Sequence, residues 1–293
     1  MASPPIGVMR FEPLTLYRRT RGILSARGVR PKKALGQHFL VDEGVLVAIM
    51  EAAEVGPADT VVEIGGGVGS LTQALARRAR AVHCIEIDLA LAAVLTEALA
   101  DFDNVTVHQA DALKFPYETL PAPYAVVANI PYQISTPLVD CFVAERARLS
   151  RVTLTVQREV AQRFHASPGT KDYGALSVKL AYYFVVRHQA PVPAEAFWPP
   201  PKVDSAIITM TPRPAPPVEV GPNGEAFLSM VRQAFAHRRK TLRKNLQVSR
   251  AQGWSAEAVE QALAETGIDR MRRAETLTLE EFAALWRALS AVR

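Results

Sequence analysis

The chain has 293 residues, 49% apolar and 22% charged, with a formal net charge of +5. That length suits one large and one small globular domain. No apolar run approaches the ~18 residues of a membrane span, and no apolar leader segment heads the chain. The two cysteines, Cys84 and Cys141, lie far apart inside apolar segments and read as buried thiols. No Cys or His pair has ligand spacing, so neither a disulfide framework nor a metal site is expected, and the expected compartment is the reducing cytoplasm.

Charge is unevenly placed. Residues 1–40 carry eight Lys/Arg against one Glu and residues 226–255 seven against none, which leaves −9 for the rest. Two basic ends on an acidic body predict a polyanionic partner, RNA or DNA, with a merely solvated basic surface as the alternative. The Arg-rich N-terminus has the composition of a transit peptide, but Pro4, Pro5 and Pro13 interrupt a long amphipathic helix there.

From Thr60 to Ile208 short β-rich runs alternate with helical patterns. Strands are predicted at 60–64, 81–86, 104–108, 124–128 and 152–156, with helices at 70–79 and 89–99. Near-continuous apolar strands separated by helices predict a parallel α/β sheet covered on both faces. Residues 206–210 read as a late edge strand. The Pro- and Gly-rich stretch 212–224 reads as a linker, and everything beyond it as helical. There Phe227, Met230, Val231, Ala234 and Phe235 form one helix face, and Arg232, Arg239, Arg243 and Arg250 another.

Gly65, Gly67 and Gly69 follow the first strand at alternate positions and open a helix. Such a turn allows positive φ and close backbone approach to a ligand. Glu86 ends the second strand about 20 residues on, where a carboxylate takes both ribose hydroxyls of a nucleoside. These features suit NAD as well as S-adenosylmethionine. Asp111, past the third strand, offers an acceptor for an adenine amino group. The deciding element is Asn129-Ile130-Pro131-Tyr132 after the fourth strand. Proline fixes the backbone there, the Asn129 amide oxygen and the Ile130 carbonyl can both accept from an exocyclic NH₂, and Tyr132 offers a ring for stacking. That combination points to methyl transfer onto an extruded adenine, driven by positioning and electrostatics without a metal or strong base. Phe197 is the candidate second stacking ring; the alternative is an anchor for the Pro-rich turn after it.

On seven motifs in order the chain resembles the ribosomal RNA adenine dimethyltransferase family, in particular its bacterial small-subunit branch. The motifs run Lys33-Ala-Leu-Gly-Gln-His-Phe-Leu40, Glu63-Ile-Gly-Gly-Gly-Val-Gly69, Glu86-Ile-Asp88, Gln109-Ala-Asp111, Asn129-Ile-Pro-Tyr132, Phe197-Trp-Pro-Pro-Pro-Lys-Val-Asp-Ser205 and His237-Arg-Arg-Lys-Thr-Leu-Arg-Lys-Asn-Leu246. The resemblance implies a Rossmann-like methyltransferase domain over 33–211 after a basic extension at 1–32. A linker at 212–224 and a helical RNA-binding domain at 225–293 would follow. It implies S-adenosylmethionine held by His38, Leu40, Gly65, Gly67, Glu86, Asp111 and Asn129. The target adenine would lie between Asn129, Ile130, Pro131, Tyr132 and Phe197, with RNA contacts from Arg238, Arg239, Lys240, Arg243 and Lys244. The implied reaction is dimethylation of two adjacent adenosines near the 3′ end of small-subunit (16S) RNA, on an immature particle during ribosome biogenesis, by a monomer. Three positions depart from the commonest pattern: His38 for Asn, Gly66 for Pro and Gln133 for Asn. The competing readings are an NAD-dependent oxidoreductase, a non-catalytic nucleic-acid-binding relative, and the large-subunit RNA methyltransferase of macrolide resistance.

Overall fold

Val61, Val62 and Ile64 lie on both faces of one strand, and all are buried, as a central parallel strand requires. A computed structural model of the chain describes residues 15–130, 134–248 and 254–291. In chain order it runs α1 (Thr15–Ala26), β1 (Phe39–Leu40), α2 (Glu43–Ala53), β2 (Thr60–Ile64), α3 (Ser70–Ala76), β3 (Ala81–Glu86), α4 (Leu89–Ala98), β4 (Val105–Gln109), β5 (Tyr124–Asn129) and α5 (Ser135–Ala144). It continues through β6 (Leu149–Gln157), α6 (Arg158–Phe164), α7 (Ala175–Tyr183), β7 (Phe184–Val192), β8 (Phe197–Trp198), β9 (Ser205–Pro212), α8 (Gly224–Ala234), α9 (Leu242–Val248), α10 (Ala256–Glu265) and α11 (Leu279–Ala291). Among the described residues no helix is long and apolar enough to cross a membrane.

Seven strands form one sheet in the order β4-β3-β2-β5-β6-β9-β7, and β1 pairs with β8 in a separate two-stranded ribbon. The pairs β2–β3, β3–β4, β2–β5 and β5–β6 are parallel. The chain leaves β2 outward through β3 and β4, then returns to the other side of β2 as β5. This reversal makes β2 and β5 the switch point, where parallel sheets open a crevice at their carboxyl ends. Register aligns those ends: Ile64 lies opposite both Ile85 and Ala128. Helices α2 and α3 cover β2 through a core that includes Ile49, Val61, Leu75, Val82 and Ile207. Each such side chain, fully buried, contributes roughly 1.5–3 kcal/mol. Asp42 and Asp88 cap α2 and α4, accepting from the Val45 and Ala90 amides at 2.9 and 3.0 Å.

The expected edge strand at 206–210 is corrected: β9 lies between β6 and β7 and is buried from Ser205 to Met210. A six-residue run without exposed positions is an inner strand. The edge is β7, whose Arg187, His188 and Gln189 disguise it as a loop.

The chain divides into two compact units. One holds the chain up to Arg158 together with Gln189–Thr209; the other holds Glu159–His188 and the chain from Met210 onward. This division sets α6 and α7 with the C-terminal helices and falls at 209/210, just before the expected linker at 212–224. In that second unit the Tyr173 hydroxyl donates to the Leu277 carbonyl at 2.9 Å. Tyr182 packs on Phe227. The Pro-rich stretch is tied down as well: the Trp286 indole donates to Val220 and Arg287 to Glu219, at 2.9 and 2.8 Å. The predicted apolar face of α8 is confirmed at Phe227, Met230, Val231 and Ala234, all buried. The predicted arginine face is not one helix face, because α8 ends at Ala234 and α9 starts only at Leu242; Arg250 lies outside the described residues.

Candidate active site

The glycine turn after β2 adopts the conformations its composition allows, with φ of +80° at Gly65, +59° at Gly67 and +86° at Gly69. A side chain at Gly67 would also meet the Phe39 ring at 3.2 Å. The bare Gly67 amide instead donates to Glu86 Oε2 at 3.0 Å, and the Asp88 amide donates to Oε1 at 2.9 Å. Each Glu86 oxygen keeps further accepting capacity for a ligand diol. Burial raises the Glu86 pKa above the usual carboxylate value, and the two backbone amides hold that rise back.

Glu63, one strand inward, has 1% of its surface exposed, and its Oε2 has no hydrogen-bond partner among the described residues. Burial pushes its pKa up to about 7; the nearby Thr72 and Cys84 side chains moderate that shift and the Glu86 charge adds to it. Both carboxylates line the same cavity at the carboxyl end of the sheet. An orphaned acidic oxygen beside a diol-accepting carboxylate suits a ligand that carries hydroxyls and a positive charge, as S-adenosylmethionine does.

Gln37 and His38 lock the ribbon end of this cavity. Gln37 Oε1 accepts from the Lys32 amide at 2.8 Å, while its Nε2 donates to Asp88 Oδ2 at 3.0 Å. Lys32 Nζ pairs with the same fully buried Asp88 oxygen at 2.8 Å. Burial tends to raise the Asp88 pKa, but its hydrogen bonds to Lys32, Gln37 and the Ala90 amide outweigh it, and the net shift is downward. His38 Nδ1 lies 2.6 Å from the Pro199 carbonyl, which makes this nitrogen the protonated one. The His38 carbonyl accepts from Asn129 Nδ2 at 3.2 Å. Thus His38, standing where Asn is commoner, is engaged through both side chain and backbone.

The structure brings His38, Leu40, Gly65, Gly67, Glu86, Asp111, Asn129 and Ile130 together around this cavity. Asp111 Oδ1 accepts from the Leu113 amide at 2.9 Å. Pro131 and Tyr132, with Gln133, lie outside the described residues. Phe197 is not brought to the cavity: it is 3% exposed and packs in the core with Leu40, Ile49 and Ile207. Through β8 Phe197 is thus turned into the apolar core, and its role as second stacking ring stays a proposal.

Sequence reading missed Gln37 and Ile87. Ile87 lines the cavity yet is 47% exposed, an apolar surface for a flat ring. Its only signal was its place between Glu86 and Asp88. Gly66, where Pro is commoner, has a local cause: a Cβ there would collide with Cys84 Sγ and sit 2.9 Å from Leu95 Cδ1.

In the second unit the expected RNA contacts differ among themselves. Arg238 pairs with Glu275 at 3.4 Å, and Arg243 pairs with Glu260. Arg239, Lys240 and Lys244 are exposed, without a carboxylate partner among the described residues. Their loop is held from below by Asn245, whose Nδ2 donates to the Ala234 and His237 carbonyls at 2.6 and 3.2 Å.

Comparison with known proteins agrees with this geometry. Residues 28–288 match the family described as "Ribosomal RNA adenine dimethylase". The ribosomal RNA small subunit methyltransferase A of Moorella thermoacetica is 45% identical over 282 residues, covering 92% of this chain and 96% of that protein. The protein of the same name from Bacillus cytotoxicus is 43% identical, covering 92% and 95%. Among solved structures, a dimethyladenosine transferase from Plasmodium falciparum matches with a TM-score of 0.75 at 26% identity, covering 85% of this chain and 96% of that one. The 23S rRNA methyltransferase ErmE matches with a TM-score of 0.67 at 33% identity, covering 86% and 99%. These relatives are RNA methyltransferases, not nicotinamide-dependent oxidoreductases.

Proposed function

Since the chain belongs to the ribosomal RNA adenine dimethylase family, we propose that it transfers methyl groups from S-adenosylmethionine to the N6 amino groups of two adjacent adenosines near the 3′ end of small-subunit RNA. The observation that carries this reading is the convergence of Glu86 and Asn129 on one cavity at the switch point. Glu86 is the ribose acceptor, with Gly65 and Gly67 giving backbone access and Ile87 an apolar face. Glu63 and Asp111 complete the acceptor set. When bound, S-adenosylmethionine supplies a methyl group on a sulfonium, an electrophile that a neutral amine can attack.

Asn129 orients the amine. Its NH₂ is used on the His38 carbonyl, so its Oδ1 is left as an acceptor for a substrate N–H. With the Ile130 carbonyl as second acceptor, both amino hydrogens are held. The nitrogen lone pair is then drawn out of conjugation with the ring. The nucleophile is neutral and the donor cationic, so catalysis rests on positioning and on a site that excludes water.

The substrate is an immature small subunit in the cytoplasm, and the enzyme acts as a monomer. Arg239, Lys240 and Lys244 supply phosphate contacts that set register without reading sequence. The small-subunit assignment follows the relatives at 41–45% identity over the large-subunit enzyme at 33%. Mass spectrometry of small-subunit RNA from cells with and without the gene tests it. Two dimethyladenosines present only with the gene support the reading. An unchanged RNA points to a non-catalytic relative.

A further inference from the structure

We propose a second RNA-binding subsite, a cationic and aromatic cavity formed by α1, the turn after it and Trp198, which takes an unpaired nucleotide flanking the target adenosine. It rests on the assignment of this chain as an RNA methyltransferase. The cavity has a volume of about 560 Å³ and is lined by Arg21, Gly22, Ser25, Gly28, Arg30 and Trp198, among others. That is within the ~300–1,000 Å³ typical of small-molecule sites.

Three features give it a ligand chemistry. Arg21 is held between two rings, its guanidinium 5.6 Å from the Tyr17 centroid and 5.5 Å from that of Trp198. Its Nη1 also donates to the Tyr17 hydroxyl at 3.1 Å. The half-buried Trp198 indole, with this cation beside it, is a platform for an unstacked base. Secondly, neither Arg21 nor Arg30 has a carboxylate partner among the described residues. Arg27 and Lys32 nearby do, pairing with Glu97 and Asp88. The cavity therefore keeps two uncompensated charges for a phosphate. Thirdly, Gly22 and Gly28 leave the wall bare: a Cβ added at either meets no atom of the described residues within 4 Å.

Position ties the cavity to the reaction. Trp198 lies opposite Phe39 in the β1–β8 ribbon, and Phe39 is flanked by His38 and Leu40 of the cofactor cavity. Successive residues of a strand face opposite sides. Phe197 goes to the core and Trp198 to the second cavity. In this proposal the nucleotide next to an adenosine at Asn129 lies against Trp198 and Arg30.

The test uses the full-length protein with unmethylated small ribosomal subunits for turnover and an unmethylated RNA hairpin of their 3′ end for binding. Arg30→Ala removes a surface charge and should weaken RNA binding and lower the salt slope by about 1. Gly22→Leu fills the cavity and should weaken binding with the slope unchanged. Trp198→Ala should cost about ten-fold in RNA affinity, with Trp198→Phe restoring most of it. Affinity for S-adenosylhomocysteine, measured by calorimetry, should stay unchanged in Arg30→Ala and Gly22→Leu. If the unaltered protein methylates small subunits while Arg30→Ala and Gly22→Leu bind RNA normally, the subsite is refuted and the methyltransferase reading stands. If the unaltered protein neither binds nor methylates that RNA, the broader reading falls and takes the subsite with it.

Discussion

Asn129 Nδ2 donates to the backbone carbonyl of His38 at 3.2 Å, and this one hydrogen bond fixes which end of the Asn129 amide is turned away from β1. An asparagine amide is nearly symmetric in shape, so without such a partner either end could face the reacting amine. The His38 carbonyl, held on β1, removes that ambiguity and leaves Oδ1 as an acceptor.

Asn129→Ala should therefore reduce kcat by at least about 100-fold, the cost of one preorganised transition-state hydrogen bond. RNA affinity should stay nearly unchanged. Asn129→Asp should fail as well, because it restores the acceptor but sets a carboxylate oxygen against the His38 carbonyl. Single-turnover methyl transfer with saturating RNA measures both, and near-normal rates would remove Asn129 from the mechanism.

Glu86 should bind the donor only as the carboxylate. Its folded pKa is raised by burial, so affinity for S-adenosylhomocysteine should fall as pH drops through a value above the ordinary 4.5. Glu86→Gln should flatten that profile. Glu86→Ala should weaken binding by roughly 10- to 100-fold, since a charge-assisted hydrogen bond is worth about 1.5–3 kcal/mol. Calorimetry from pH 5 to pH 8 reads both effects.

Glu63 makes a stability prediction with the opposite feel for an acid. Its pKa rises from 4.5 to about 7 on folding, so the folded state holds the proton more tightly than the unfolded one. The stability it contributes is fully present below 4.5 and is lost as pH rises through about 7. A neutral Glu63→Gln should then be more stable than the parent at pH 8, by on the order of 3 kcal/mol, with the gap closing at pH 5. Denaturant melts at the two pH values check it.

The legibility of this site in the sequence depended on how each residue acts. That Gly65, Glu86, Asp111 and Asn129 share one cavity was readable because each follows or ends a strand at the same edge of the sheet. Gln37 was not, since it works through Asp88, 51 residues away. For Phe197 the sequence left both a stacking and an anchoring role open, because a motif does not say which side of a two-residue strand faces the core. The sheet was legible as far as β6. The apolar run at 206–210 was recognised as a strand but not as an inner one, and the polar residues of β7 hid the true edge. The membership of 159–188 in the C-terminal unit depends on contacts such as Tyr173 with Leu277, which no local pattern announces.

The Gly66–Cys84 pair should behave as a coupled substitution. Gly66→Pro alone should destabilise the protein by about 1–3 kcal/mol through overpacking against Cys84 and Leu95. Adding Cys84→Ala should recover part of that loss. Thermal melts of the two single variants and the double variant form the cycle, and strict additivity would contradict it.

Among the C-terminal cations, Arg239→Ala and Lys244→Ala should each lower the salt slope of RNA binding by about 1. Arg243→Ala should change it less, because its charge is already met by Glu260. Equal effects at all three positions would show that the ion pair opens on RNA.

The central claim is tested most directly by methyl transfer from labelled S-adenosylmethionine, with purified protein given unmethylated small subunits and naked large-subunit RNA in parallel and the modified positions mapped. The account predicts four methyl groups per small subunit, on two neighbouring adenosines near the 3′ end, and little on large-subunit RNA. Efficient modification of large-subunit RNA with none on small subunits would contradict it.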